Sequence, residues 1–327
     1  MNLEELKATR DGFGEAMVEI GQNNKQVVVL CADLSESMRL NQFKENFPNQ
    51  YIECGVAEQN MMSVGAGLAL AGKIPFITSF AVFNPGNNLD QLRIAVYSSL
   101  NVKVIGGHAG LSTGEDGATH QALEDIGIVA ALPKMTVVVP ADSDQAAMLT
   151  QAIVAHDGPC YLRLGRKKLI ALKSLVTNLP AIQLGQAQIL KEGQDLTIFA
   201  CGLMVQEALK ATTELAKVGL SVEVINLHTI KPLDEASIIK SAAKTRAVIV
   251  ASEHEISSGL NSLVIQTIAK AQGKELLQPI AIESIGVENT FGESGKDADL
   301  LQKYGLDYLG IIKKVKLILE KKKKLNP

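Results

Sequence analysis

Tryptophan is absent from this chain of 327 residues, and aromatic residues make up only 4% of it. Few ring faces are therefore available to stack on single-stranded nucleic acid. A basic surplus is also missing: Lys+Arg number 32 against Asp+Glu 35, for a formal net charge of −3. Non-specific nucleic-acid binding depends on such a surplus, so that class is excluded. No stretch reaches the roughly 18 uninterrupted apolar residues of a membrane span. The start, MNLEELKATRDGFGEAM, is polar and amphipathic and lacks the apolar run of a secretory signal. A cytoplasmic protein with no membrane partner is expected. The lysine-rich EKKKKLNP at the end reads as a solvated helix end rather than a targeting device. Cys31, Cys54, Cys160 and Cys201 form no C-x-x-C pair, so neither a zinc knuckle nor a redox dithiol is written here. Three of them lie in the apolar runs VVVLCA, CYLRL and IFACG and read as reduced, buried, small hydrophobes. G-x-x-x-x-G-K-[ST] does not occur. The G-x-G at Gly65–Gly67 falls inside a helix-like segment, where it serves close packing rather than a dinucleotide.

What is present is a large apolar fraction. Hydrophobic residues are 46% and charged residues 20%, which suits two packed domains. VVVLCADLS (27–35), IPFITSFAVF (74–83), NVKVIGG (101–107), MTVVVPAD (135–142) and CYLRLGR (160–166) are nearly continuous Val/Ile-rich runs. Such runs belong to strands covered on both faces, hence to a parallel sheet. Helix-length segments at 57–72, 88–100 and 143–156 alternate with them, the last with Asp142 or Ser143 as its cap. The stretch Leu169–Gly185 loses this rhythm and reads as a linker. Beyond it a second strand–helix series runs through 195–202, 220–228, 246–254 and 279–286. The expected fold class is α/β, with two parallel or mostly parallel sheets. The expected boundaries are 1–170, a linker at 171–185, and 186–327 with a smaller sheet of three or more strands.

Three clusters could do chemistry. Glu58 heads the otherwise apolar segment AEQNMMSVGAGLALAG. It is either a first-turn acid favoured by the helix dipole or a carboxyl kept in apolar surroundings for sharing a proton. GGHAGLSTGEDGATHQ (106–121) follows a strand end, where open parallel sheets place their ligands. It carries His108 and His120, two of only five histidines in the chain. A surface turn accounts for Asp116-Gly117 but not for both histidines. Hydrogen bonding or proton transfer to a polyhydroxylated substrate fits better than metal binding, for which no third ligand is evident. Arg163 and Arg166 in YLRLGRKK are either anion ligands or a solvated linker edge. Arg10 and Ser37 could join an anion site.

Taken in order, VVVLCADLSESMRLNQF, YIECGVAEQNMMSVGAGLALAG, IPFITSFAVF, GEDGATHQALEDI, MTVVVPAD and YLRLGR resemble the C-terminal half of transketolase, in the form some organisms encode as a separate subunit. The similarity continues through IFACG, VEVINLHTIKPLD and VIVASEH, over nearly the whole chain. The resemblance implies a pyrimidine-binding domain followed by a transketolase C-terminal domain, with thiamine diphosphate as cofactor. By that resemblance Glu58 is catalytic, hydrogen-bonding the pyrimidine N1′ and favouring its imino form. Phe80 and Phe83 pack around the ring, and Asp33 and Leu34 line the same pocket. Asp116 and His120 meet the hydroxyls of the sugar, His120 with a catalytic role. His108, Arg166, Ser37 and Arg10 hold its distal phosphate. The implied reaction is reversible transfer of a two-carbon ketol unit from a ketose phosphate to an aldose phosphate.

Such enzymes hold the diphosphate through Mg2+ or Ca2+ at a GDG motif with a later Asn, and this chain has no GDG. The resemblance therefore implies an N-terminal partner subunit supplying the metal site, in an α2β2-like assembly. Gly86, Asn87 and Leu89 depart from the family pattern after the Phe pair and leave one pocket wall open. Glu253 and His254 read as structural. The β subunit of a 2-oxo acid dehydrogenase shares this architecture but lacks the combined GEDGATHQ signature. Deoxyxylulose-phosphate synthase shares the THQ region but is one long chain. A cofactor-free regulatory subunit would have no use for intact Glu58, Asp116 and His120.

Overall fold

The computed structural model describes residues 6–273 and 278–325. The first five and last two residues, part of the polar start and the lysine-rich tail read above, lie outside them. In chain order the strands are β1 (Lys7–Ala8), β2 (Val27–Cys31), β3 (Tyr51–Glu53), β4 (Ile74–Phe80), β5 (Lys103–Gly107), β6 (Thr136–Val138) and β7 (Cys160–Arg163). Then come β8 (Lys168–Leu169), β9 (Gln188–Lys191), β10 (Leu196–Ala200), β11 (Val222–Asn226), β12 (Thr229–Lys231), β13 (Ala247–Glu255) and β14 (Ala281–Val287). The first sheet has seven strands in the order β12-β6-β7-β5-β4-β2-β3, and the second has five in the order β14-β13-β10-β11-β9. Every pairing in the first sheet is parallel except β12 with β6, and every pairing in the second is parallel except β9 with β11. This is the mostly parallel, two-sheet α/β class expected above. β2, β5, β10 and β11 are buried at every position; β2 accordingly runs apolar without alternation, and the polar Lys103, Thr197, Glu223 and Asn226 of the others are paired inside the fold.

Three short strands escaped the sequence pattern, because three or four residues are too few to show a period. β12 follows β11 in the chain yet pairs with the first sheet, Thr229 opposite Val138. It covers an edge that would otherwise expose unpaired backbone groups. β9 does the same for the second sheet. β3 extends the first sheet beyond β2 and leads directly to Glu58. The second sheet therefore has five strands, within the expected three or more. Within 169–185, Leu169 pairs with Lys7 and a short helix covers Leu172–Leu175.

Helices fall where helical lengths were read: Glu58–Leu70, Leu89–Tyr97, Ser143–Ala155, Met204–Ala216, Glu235–Thr245 and Gly259–Gly273. Of the two candidate caps, Asp142 serves the third, its Oδ1 accepting the Gln145 N–H at 2.7 Å. The chain closes on helix Tyr308–Leu325. Gln145, Gln188 and Asn226 form a hydrogen-bonded amide cluster where the two sheets' layers meet, at 2.8–3.1 Å. Cys31, Cys160 and Cys201 are buried and reduced, while Cys54 is half-buried. Among the described residues no helix is long and apolar enough to cross a membrane.

Candidate functional site

Parallel pairing brings the carboxyl ends of β2, β4, β5 and β7 to one edge. Cys31 lies opposite Thr78, Phe80 opposite Gly107 and Gly106 opposite Arg163. Residues just beyond those ends, namely Asp33, Leu34, Ser37, Phe83, His108 and Arg166, gather along that edge, the usual ligand position of such sheets. The chain turns sharply there, with Asp33 (φ 57°) and His108 (φ 54°) in the left-handed region. Asp33 is held by its backbone: its N–H donates to Glu53 Oε1 at 2.8 Å, and the Gly55 N–H donates to the same oxygen at 3.1 Å. One carboxylate thus ties the turn after β2 to the segment leading into Glu58. Leu34 is half-buried and packs against the same apolar core as Phe83.

Glu58 is the first residue of its helix and is only 7% exposed. Ala57 before it offers no side-chain acceptor for the free N–H groups of the helix start. No described residue donates a hydrogen bond to the Glu58 carboxylate. Its backbone carbonyl accepts from Asn88 Nδ2 at 3.4 Å, and that same nitrogen donates to Asn84 Oδ1 at 2.9 Å. Asn84 Nδ2 in turn donates to the carbonyls of Ile77 and Ile105 at 2.9 and 3.0 Å. The helix head is thereby fastened to β4 and β5. Between Phe83 and helix Leu89–Tyr97 the turn is tight: a Cβ on Gly86 would lie 2.0 Å from the Val82 carbonyl oxygen. A side chain there requires a different backbone path, so the departure at 86 has a local cause.

Phe80 and Phe83 stack with centroids 6.4 Å apart and planes 18° from parallel. His120 stands edge-on to both, 5.4 Å from Phe83 and 6.2 Å from Phe80. His108 packs on Phe80 at 4.0 Å. Four rings from the ends of β4 and β5 and the following loop therefore form one wall. Thr119 Oγ1 lies 2.9 Å from His120 Nδ1 and orients that ring.

The cationic part of the edge centres on Arg10, second residue of helix Thr9–Asn23. Its Nη1 donates to the Ser37 carbonyl at 3.0 Å and meets His108 Nε2 at 2.9 Å. Ser37 is engaged through its backbone here. Arginine has no acceptor, so His108 Nε2 must be the unprotonated nitrogen and the proton sits on Nδ1. Burial, then Arg10, Arg166, Arg39 and His120, push the His108 pKa down to about 3. The imidazole is neutral at pH 7. Burial and then the Arg39 charge also lower the pKa of Arg10. Among the described residues, neither Arg10 Nε nor His108 Nδ1, both buried, has a partner. Two unanswered donors in a crowd of positive charge are what an anion would satisfy. Arg166 Nη1 donates to the Thr113 carbonyl at 2.9 Å and to Asp116 Oδ1 at 3.4 Å. Asp116 and Arg166 thus form a half-exposed ion pair.

Arg163 corrects the reading of the basic cluster. It is neither an anion ligand nor a solvated edge, being 6% exposed and paired with Asp125 at 2.9 Å. Tyr161 Oη donates to the same carboxylate at 2.8 Å, and Arg163 Nη2 donates to the carbonyls of Ala122 and Glu253. Burial works against the guanidinium charge, but Asp125 and Glu253 outweigh it and raise the pKa above its ordinary range. Gly165 lies between Arg163 and Arg166, whose side chains meet different surroundings. Asp125, Thr113, Asn84 and Asn88 are supporting residues the sequence reading did not single out. Their only signal was polarity inside apolar stretches. Among the described residues no three His, Cys, Asp or Glu are grouped to hold a metal ion.

Fold and edge together define a two-sheet α/β protein that gathers aromatic faces and cationic donors at the carboxyl ends of its first sheet. The family model described as transketolase, pyrimidine binding domain, matches residues 5–170, and that of the transketolase C-terminal domain matches 185–311. The chain belongs to the transketolase family, and its pyrimidine-binding domain implies use of thiamine diphosphate. It is 39% identical to the 6-deoxy-6-sulfo-D-fructose transketolase subunit SqwH of Clostridium sp. (strain MSTE9), covering 96% of this chain and 95% of that protein. With one of the subunits of the apulose-4-phosphate transketolase of Phocaeicola vulgatus the identity is 33%, over 94% and 96%. A solved split gene transketolase, described as an inactive beta4 tetramer, superposes with a TM-score of 0.86 at 38% identity, covering 98% of this chain and 99% of that chain.

Proposed function

We propose that this chain is the C-terminal subunit of a split, cytoplasmic transketolase. It would carry a two-carbon ketol unit from an anionic ketose to an anionic aldose with thiamine diphosphate. The observation that carries the reading is a juxtaposition on one sheet edge. Glu58, 7% exposed and with no donor to its carboxylate among the described residues, and the stacked Phe80–Phe83 pair share that edge with the Arg10 and His108 donors that no described residue answers. The residues present fit the cofactor's pyrimidine: a carboxyl for its ring nitrogen, aromatic faces for its plane.

When bound, thiamine diphosphate supplies a carbon nucleophile and an electron sink. The chain's own residues do the rest. Glu58 would share a proton with the pyrimidine N1′, giving it to favour the imino form and taking it back, a task suited to a carboxyl with no competing donor. Phe80 and Phe83 orient the ring and exclude water, and Asp33 and Leu34 close the pocket beside them. His120 and Asp116 hydrogen-bond substrate hydroxyls. Arg10, His108, Ser37 and Arg166 hold the distal anion. The named relatives act on a sulfonated sugar and a phosphorylated one, and either head group suits guanidinium donors. An N-terminal partner with a GDG motif would hold Mg2+ or Ca2+ and the diphosphate, in an α2β2-like complex.

The test is co-expression with such a partner, followed by ketol transfer with thiamine diphosphate and magnesium. Only the complex is expected to turn over, and Glu58→Gln should lower its kcat by about 10²-fold or more. Full activity of the isolated chain, or of the Glu58→Gln complex, would overturn the reading.

A further inference from the structure

Glu253 sits near the end of β13, in the second sheet, and is 5% exposed. Its side chain points away from that sheet into the loop after β5. Oε1 accepts the Ser112 N–H at 2.5 Å, and the Ser112 hydroxyl donates to Oε2 at 3.2 Å. The approach is close: at Gly110 (φ +85°) a Cβ would lie 2.3 Å from the Glu253 carboxyl carbon. Only glycine combines that backbone conformation with that space.

Ser112 is one residue from Thr113, and Thr113 touches two members of the cationic edge. Its hydroxyl donates to the His108 carbonyl at 2.5 Å, and its own carbonyl accepts from Arg166 at 2.9 Å. A continuous path therefore runs from the second sheet to the proposed anion site. Parallel braces come from the same side of the molecule: Gln121 Nε2 donates to the Glu293 carbonyl at 2.9 Å, and Lys167 pairs with Asp297. Among the described residues Glu253 has no ion pair; Arg163 reaches only its backbone carbonyl. A carboxyl buried this deeply for packing alone would be a poor choice, since its desolvation is offset by nothing but Ser112 and the more distant charges of Arg163 and Lys167.

We propose that Glu253 is a positioning residue for the substrate's anionic head: from the second sheet it clamps Ser112, and through Thr113 it holds His108 and Arg166 at the spacing a phosphate or sulfonate requires. This rests on the function proposed above. Glu253 touches neither substrate nor cofactor. Its removal should therefore act on recognition of the head group and spare the reacting end of the sugar.

The experiment uses the purified complex with its N-terminal partner and compares a ketose phosphate with an uncharged ketose of the same stereochemistry. In Glu253→Ala the KM for the phosphorylated donor and the Ki for inorganic phosphate should each rise about tenfold. The kcat, and kcat/KM for the uncharged donor, should stay near wild type. Glu253→Gln keeps an acceptor for the Ser112 N–H and a donor for its hydroxyl, and should restore both constants. Glu253→Asp keeps the carboxyl group but is one methylene short; it should resemble the alanine variant, and it carries the test if the alanine variant does not fold. Equal losses on charged and uncharged donors, or an unchanged Ki for phosphate in both the Ala and Asp variants, would overturn the proposal. A wild-type complex inactive on both donors would instead overturn the functional reading beneath it.

Discussion

The pair Arg163–Asp125 offers a direct way to separate the buried arginine from the one at the site. Arg163 is 6% exposed and Asp125 1%. Arg163 Nε lies 2.9 and 3.2 Å from the two carboxylate oxygens, and Tyr161 Oη donates to one of them at 2.8 Å. Asp125→Ala removes the carboxylate hydrogen-bonded to that guanidinium and leaves its charge buried. Breaking a buried pair from one side costs about 3–5 kcal/mol, a large part of the roughly 5–15 kcal/mol that holds a typical domain together. Replacing both members together removes the stranded charge. The double variant Asp125→Ala/Arg163→Met should therefore recover at least half of the loss. Urea unfolding followed by circular dichroism measures each variant. If Asp125→Ala lowers stability by less than about 1 kcal/mol, the usual range of exposed pairs, the pair is not the internal support described here. The same holds if the double variant is no better than Asp125→Ala.

Two further outcomes follow from the edge itself. His108 has a pKa near 3 in the folded chain, against about 6.5 when unfolded. Between those values the unfolded chain binds a proton that the folded chain refuses, so stability falls as pH drops below about 6.5. Over pH 7 to 4.5 this one group accounts for a loss of up to about 2–3 kcal/mol. His108→Gln keeps an acceptor for Arg10 and should lose less than the parent over that range in urea titrations; equal losses would reject the depressed pKa. Arg166→Met should raise the KM for an anionic donor by about tenfold or more in the assembled complex, and the effect should shrink with an uncharged donor. A KM that does not change would remove Arg166 from the anion site.

Much of the architecture was legible because burial on both faces leaves a direct mark. VVVLC is apolar throughout and is an interior strand of the first sheet. Asp142 was legible as a cap because its side chain serves its own helix, three residues away. Glu58 stood out as an acid heading an apolar helix, and the structure leaves its carboxylate without a donor among the described residues. Three of the four edge strands of the two sheets, β3, β9 and β12, were not legible. Thr229–Lys231 gains its role only by crossing to a sheet whose other strands precede it in the chain. Nor could spacing distinguish Arg163 from Arg166, because the difference is Asp125 on a helix about 40 residues away.

Residues that answer to their own local segment, through apolar continuity, turn chemistry or an acid where none belongs, could be read from the chain as written. Contacts made across the fold could not. Glu253 meets Ser112 over a separation of 141 residues, and Arg10 meets His108 over 98. Such pairs depend on the direction in which each strand ends and on which side chains packing leaves without water. Those quantities do not exist until the two sheets have formed and met.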